Sequence, residues 1–233
     1  MSRIIDLSVA IEEDIKDPLP FSIRFETHEE GAEFGAKLVG VTPDDFPERK
    51  GLAGEFLTLT SHAGTHVDAP IHIVANGKSI DELPVDAFVG SGAVVSVNKK
   101  GGEEVTAQDF ETSGVEVNRG DILMLHTGWD EKFDGPDYNL HPYLSVDAAE
   151  WMVKKGIKMF GIDCITVDLP TPLRPKGFDF PVHRTLLGNN VLIAENVTNL
   201  ASIIGKRTRI MALPLRIKGS DAGHARIIAE VLN

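Results

Sequence analysis

Between positions 61 and 72 the chain reads Ser-His-Ala-Gly-Thr-His-Val-Asp-Ala-Pro-Ile-His, which puts three imidazoles and one carboxylate inside eleven residues. Histidines four residues apart would share one face of a helix. Gly64, the β-branched Thr65 and Val67, and Pro70 all oppose a helix interior, so the stretch reads as a strand that breaks into a loop. Alternate side chains of an extended segment share a face. His66 and Asp68 therefore project together, and a turn at Gly64 allows His62 to return beside them. Imidazole nitrogen and carboxylate oxygen suit borderline divalent ions at roughly 2.0–2.2 Å. Three such ligands leave a position open for water, as catalytic sites do. His72 lies beyond Pro70 and is free for another duty. For any one of these histidines alone, ordinary loop hydrogen bonding is the competing reading.

The rest of the chain alternates strands and short helices. Residues 3–11 read as a first strand ended by Glu12, Glu13 and Asp14, and residues 18–50 as an irregular segment punctuated by Pro18, Pro20, Pro43 and Pro47. That segment has a short helix at 29–38 and a surface His28; long irregular segments of this kind often serve as lids or subunit contacts. Residues 55–61 form a strand delivering His62 at its end, where catalytic groups commonly sit. A turn at 76–78, a helical turn at 80–83 and a buried strand at 92–97 follow. Thr106 and Asp109 have the spacing of an N-capping box, with Gly114 as the stop. The apolar run 122–126 is short enough for a core strand. His126 at its end is either a core histidine or a support for the site, Trp129 either packs or stacks on an aromatic substrate, and His141 is a loop residue.

Ser145 caps a helix over 146–155 that ends at Gly156, and a strand over 157–162 completes a βαβ-like unit. Asp163 and Asp168 follow with structural or supporting duties. Pro170, Pro172 and Pro175 stiffen a surface loop. A short helix over 180–188 leads to strand 191–194, closed by Glu195. The chain ends with strand 209–215, a loop over 219–224 whose His224 has no partner in the pattern, and strand 225–232. The whole is a mixed, strand-rich α/β chain.

With 233 residues and no break in composition, a single domain over 1–233 is expected. Hydrophobic residues at 42% and charged residues at 25% match a globular protein with a sizeable core. A net charge of −12 argues against nucleic acid and anionic membrane as partners; Lys206, Arg207 and Arg209 read as a solvated turn. The single cysteine, Cys164, in an apolar setting, is a buried thiol that suits a reducing compartment. The first residues lack the apolar core of a signal peptide, and no run approaches 18 apolar residues. A cytoplasmic protein is expected.

His-x-Gly-Thr-His-x-Asp-x-Pro-x-His over 62–72 resembles the signature of the cyclase superfamily of metal-dependent hydrolases, which includes bacterial kynurenine formamidases and isatin hydrolases. Every fixed position of that signature is present. The likeness continues through residues 123–129, Gly161-Ile162-Asp163, Val167-Asp168, Pro181-Val182-His183, Glu195 and residues 212–215, and so spans nearly the whole chain. It implies a swivelling β/β/α fold, a pocket or partner subunit bordered by 18–50, a homodimer or homotetramer, and His183 and Glu195 approaching His62, His66 and Asp68 as further metal ligands. The implied chemistry is metal-dependent hydrolysis of a C–N amide bond in a small molecule. A divalent ion, Zn²⁺ or Mn²⁺ with Fe²⁺ also compatible, would acidify a bound water, and His72 would carry the proton to the leaving nitrogen. The substrate implied first is an aryl formamide of the N-formylkynurenine type, and second a cyclic amide or lactone such as isatin. A reading from another class is a non-catalytic metal-binding protein; the absence of cysteine ligands weighs against it.

Overall fold

The computed structural model describes residues 3–12 and 21–232. The expectations placed on the first two residues and on Glu13, Asp14, Pro18 and Pro20 lie outside them. The chain divides into two compact units, Ile11–Thr60 and the combination of Met1–Ala10 with Ser61–Asn233. None of the helices is long and apolar enough to cross a membrane, among the described residues.

The larger unit begins with β1 (Arg3–Asp6). The smaller unit pairs β2 (Phe21–Glu26) with β3 (Gly54–Leu59) in antiparallel register. Between them, α1 (His28–Val39) starts at a capping box in which Thr27 accepts from the Glu30 amide and Glu30 accepts from the Thr27 amide, and it ends at Gly40 in the left-handed region. The irregular segment is thus more ordered than its prolines imply. His28 is exposed, with Nδ1 2.9 Å from the Gly51 carbonyl.

In the larger unit the chain continues through β4 (His66–Asp68), β5 (Val89–Ser96), β6 (Glu104–Val105), α2 (Ala107–Glu111), β7 (Ile122–His126), β8 (Tyr143–Leu144), α3 (Val146–Lys155), β9 (Met159–Ile162), α4 (Pro181–Gly188), β10 (Leu192–Glu195), β11 (Thr208–Met211), β12 (Ala222–His224) and β13 (Ile228–Val231). Nine strands form one mixed sheet in the order β1-β13-β11-β5-β7-β9-β10-β4-β12. Its centre, β5-β7-β9-β10, is parallel, and antiparallel strands flank it on both sides. Parallel strands are covered on both faces and read as continuous apolar runs, and Ile122, Leu123, Met124 and Leu125 are all fully buried. Their alternation splits the core. Leu123 and Leu125 pack with Phe110, Met152 and Leu186 of the helices, while Ile122 and Met124 pack with Val67, Ala194 and Ile210 on the opposite face.

Ser145 accepts from the Ala148 amide to start α3, and Gly156 closes it with φ 74°. The first strand is shorter than its apolar pattern, ending at Asp6, and β11 and β13 likewise span only four residues each of the expected strands 209–215 and 225–232. The segment expected as a loop over 219–224 instead contributes β12, which pairs with β4 so that Ala222 faces Asp68 and His224 faces His66. Gly223 sits where an added Cβ would lie 2.9 Å from the Pro214 Cβ. A glycine with no strand propensity is therefore required there by a close approach. His141, expected in a loop, is fully buried, with Nδ1 2.8 Å from the Pro142 carbonyl.

Candidate metal centre

Strands β4 and β10 pair with His66 opposite Glu195 and Asp68 opposite Ile193. The intervening pair Val67 and Ala194 packs into the core on the far side. Alternation then places His66, Asp68 and Glu195 on the face covered by the helices. Gly64, with φ 61°, makes the turn that brings His62 back to this face. α4 supplies His183 from above. The first residue of that helix is Pro181, and the Asp168 carboxylate caps it by accepting from the Val182 and His183 amides at 3.0 and 3.1 Å. The same carboxylate lies 2.6 Å from His183 Nδ1.

The side chains converge on Asp68. Its Oδ1 is 3.0 Å from His62 Nδ1 and 3.2 Å from His66 Nε2, and its Oδ2 is 3.6 Å from His183 Nε2. Glu195 closes the other side, with Oε2 3.6 Å from His66 Nε2 and Oε1 3.5 Å from His183 Nε2. Outside this cluster the rings are held from behind: His66 Nδ1 donates to the Gly64 carbonyl at 2.8 Å, and the Asn196 amide donates to that carbonyl at 2.9 Å. His72, in a helical turn over Pro70–His72, lies tilted with its ring 4.2 Å from that of His62 and 5.7 Å from that of His183. It forms a second group of converging donors with Asp68 and His183. Of the expected site residues, all six lie in this one cluster.

Electrostatics reflect the crowding. Burial raises the Glu195 carboxyl, and Asp68 adds to that rise. Burial disfavours an ionised Asp68 as well, but the imidazoles of His66, His183 and His62 outweigh it and hold Asp68 well below the usual carboxylate range. For His62, burial opposes the imidazolium, yet Asp68 and Asp221 raise it to about 9; for His183, Asp168, Asp68 and Glu195 overcome burial and raise it to about 10. His72 is lowered, chiefly by burial.

Both oxygens of Asp68 are buried and make no aligned hydrogen bond, although imidazole nitrogens of His62 and His66 stand 3.0 and 3.2 Å from Oδ1. A fully buried carboxylate is normally paired and hydrogen-bonded. Two orphaned oxygens facing three imidazole nitrogens fit a divalent cation of the kind that accepts nitrogen and oxygen donors. His62, His66 and Asp68 would hold it, with His183 and Glu195 at hand to complete the shell.

Asp221 belongs to this site and sequence reasoning missed it. Its Oδ2 lies 3.1 Å from His62 Nε2 and 3.1 Å from His72 Nδ1. No local spacing ties a residue in the turn before β12 to a motif some 150 positions earlier. Other candidates sit elsewhere. Asp163 accepts from the Thr127 amide and hydroxyl and the Gly128 amide, organising the turn after β7. Trp129 is buried and donates to the Tyr138 carbonyl, with Lys132 over its ring, which is packing. His126 bonds Ser96 near Asp130 and Asp163.

With its mixed sheet and a histidine–carboxylate cluster at the seam of β4 and α4, the chain belongs to the Cyclase family, whose model, described as "Putative cyclase", matches residues 5–169. Among named relatives, the kynurenine formamidase of Salinibacter ruber is 31% identical over 172 residues, covering 74% of this chain and 77% of the relative. That of Bacillus cytotoxicus is 32% identical over 180 residues, covering 76% and 79%. Among solved structures, isatin hydrolase A from Ralstonia solanacearum superposes with a TM-score of 0.82 at 20% identity, over 99% of this chain and 92% of that one. An isatin hydrolase bound to the product analogue thioisatinate gives 0.80 at 20% identity, over 100% and 93%. These structures share the fold.

Proposed function

We propose that the protein is a metal-dependent amide hydrolase that cleaves the C–N bond of an aryl formamide of the N-formylkynurenine type. The observation that carries it is the orphaned, fully buried Asp68 carboxylate ringed by His62, His66 and His183; the substrate class rests on relatives named kynurenine formamidase at 31–32% identity. Zn²⁺ and Mn²⁺ are the proposed ions, since both accept this donor set.

A divalent cation held by His62, His66 and Asp68, with His183 and Glu195 beside them, would supply Lewis-acid polarisation of a carbonyl and a more acidic water. The residues supply the rest. The Gly64 carbonyl and the Asp168 carboxylate each take a proton-bearing nitrogen from His66 and His183, which leaves both Nε2 lone pairs directed at Asp68. Such backing contacts orient ligand rings and raise their basicity. Asp68 and Glu195 place negative charge on two sides of the same point. His72, 31% exposed, stands at the open rim and is the proposed proton carrier. Water adds to the formyl carbon, the C–N bond breaks, and formate departs while the aryl nitrogen takes its proton through His72. Positioned transfer of this kind contributes about 10²- to 10⁴-fold.

Formate release from N-formylkynurenine and formanilide by zinc- or manganese-loaded protein tests the reading. Hydrolysis of both is expected. Opening of isatin in place of either would move the substrate class to cyclic amides, and no amide turnover at full metal occupancy overturns the assignment. A homodimer or homotetramer and a cytoplasmic location complete the proposal; the assembly rests on family likeness, and light scattering at the mass of a 25.3 kDa monomer at micromolar concentration would remove it.

A further inference from the structure

At the rim of the site, Asp221 brings two imidazoles, those of His62 and His72, to a single carboxylate oxygen. Its backbone is fixed by the sheet: the Asp221 carbonyl accepts from the Ala69 amide at 2.8 Å, next to the Ala222–Asp68 pair of the ladder. Its side chain is fixed from both ends. The Ser61 hydroxyl donates to Oδ1 at 3.0 Å, while Oδ2 receives His62 Nε2 and His72 Nδ1. The carboxylate is 43% exposed, so it rims the site and does not lie at its centre.

A carboxylate only accepts hydrogen bonds when ionised, so each facing nitrogen must bear the proton. That fixes the tautomer of each neutral ring by the bond its other nitrogen makes. Asp221 takes the Nε2 proton of His62, whose Nδ1 turns to Asp68 at 3.0 Å. His72 is left with its lone pair on Nε2, the nitrogen that does not face Asp221, in a ring 4.2 Å from that of His62 and 5.7 Å from that of His183. Free neutral histidine favours the opposite tautomer, with the proton on Nε2, in which His72 would present a donor and no acceptor to the site.

We propose that Asp221 is a positioning residue that holds His72 in the Nδ1–H tautomer and locks its ring in register with His62, so that Nε2 is available to take and return the proton. The inference rests on the amide-hydrolase reading for its catalytic consequence and on geometry alone for the tautomer. One oxygen serving both rings means that His62, a proposed ligand, and His72, the proposed proton carrier, are aligned by the same side chain.

The test reads the tautomer directly. Metal-free protein labelled with ¹⁵N in histidine is examined at pH 8 by long-range ¹H–¹⁵N correlation, with His72 assigned through His72→Gln. Wild type is expected in the Nδ1–H form. Asp221→Ala should return His72 to the Nε2–H form, whereas Asp221→Asn should keep Nδ1–H, because its carbonyl oxygen can replace Oδ2 while its amide donates to Ser61. With zinc-loaded protein, kcat on formanilide should fall by about 10- to 100-fold in Asp221→Ala, with zinc content and KM near wild type, and recover in part in Asp221→Asn. An unchanged His72 tautomer in Asp221→Ala, or Nε2–H in wild type, overturns the proposal. Loss of zinc from Asp221→Ala with the tautomer unaltered overturns it too, by making Asp221 a ligand. If Asp221→Ala does not fold, Asp221→Leu, which likewise offers no acceptor, takes its place: His72 should pass to the Nε2–H form, and an unchanged tautomer overturns the proposal. If wild type hydrolyses no amide, the functional reading fails, and the tautomer result still decides the role of Asp221.

Discussion

At the scale of single residues, Asp68 concentrates the electrostatics of the site. Asp68→Asn keeps its size and removes the charge that His62, His66 and His183 surround. The variant is expected to retain almost no ion after dialysis in zinc that saturates wild type, as read by elemental analysis; full occupancy in folded Asp68→Asn would take Asp68 out of the ligand set. His72→Asn should instead keep its ion and lose about 10²- to 10⁴-fold in kcat, and loss of ion would place His72 with Asp68 and His183 as a ligand. His141 makes a separate, purely structural prediction. Burial pushes it down to about 4 against an ordinary value of 6.5, so the unfolded chain binds this proton first as pH falls. Its stability is intact above pH 6.5 and is lost as pH falls through that value toward 4, by about 1.4 kcal/mol per pH unit. His141→Gln should flatten the acid limb of urea-derived stability by close to one proton. A slope equal to wild type contradicts the burial argument.

At the scale of elements, α4 shows how a helix end can serve a site. Asp168 satisfies two orphan amides at its start and holds His183 Nδ1 with the same carboxylate. Asp168→Ala removes a cap contributing about 1 kcal/mol and frees the ring, and zinc affinity measured by calorimetry should weaken by about 10- to 100-fold. An affinity equal to wild type would make Asp168 a cap alone. Local signals of this kind were legible wherever the partner was near in sequence. Ser145 and Gly156 bound α3, Thr106 and Asp109 begin α2, and the run 122–126 is β7, because caps and short apolar runs act within a few residues. The cluster His62, His66, Asp68 was legible for the same reason. Asp221 and the edge strand β12 were not, since each owes its place to β4, far away in the chain, and Gly223 advertises a turn while serving a close approach.

At the scale of the whole molecule, the mixed α/β class followed from alternating strands and helices, whereas the strand order, with β13 between β1 and β11, depends on pairings no local pattern records. That architecture decides what removing the ion does. The two cores flanking the central sheet are built from apolar side chains on either face. When no cation is bound, the imidazoles can take up protons: with Asp68, Asp168, Asp221 and Glu195 beside them, His62 rises to about 9 and His183 to about 10. At neutral pH these positive charges compensate the buried carboxylates, so the metal-free chain has a charge-balanced way to fold. Protein dialysed against a chelator should therefore keep its circular dichroism and a cooperative melt while losing amide hydrolysis. Returning zinc at 100 times its dissociation constant adds about 2.7 kcal/mol, which for a chain of this size raises Tm by about 5–11 °C. A chelated protein without cooperative melting would make the ion structural and remove the distinction between a fold carried by the sheet and chemistry carried by the site.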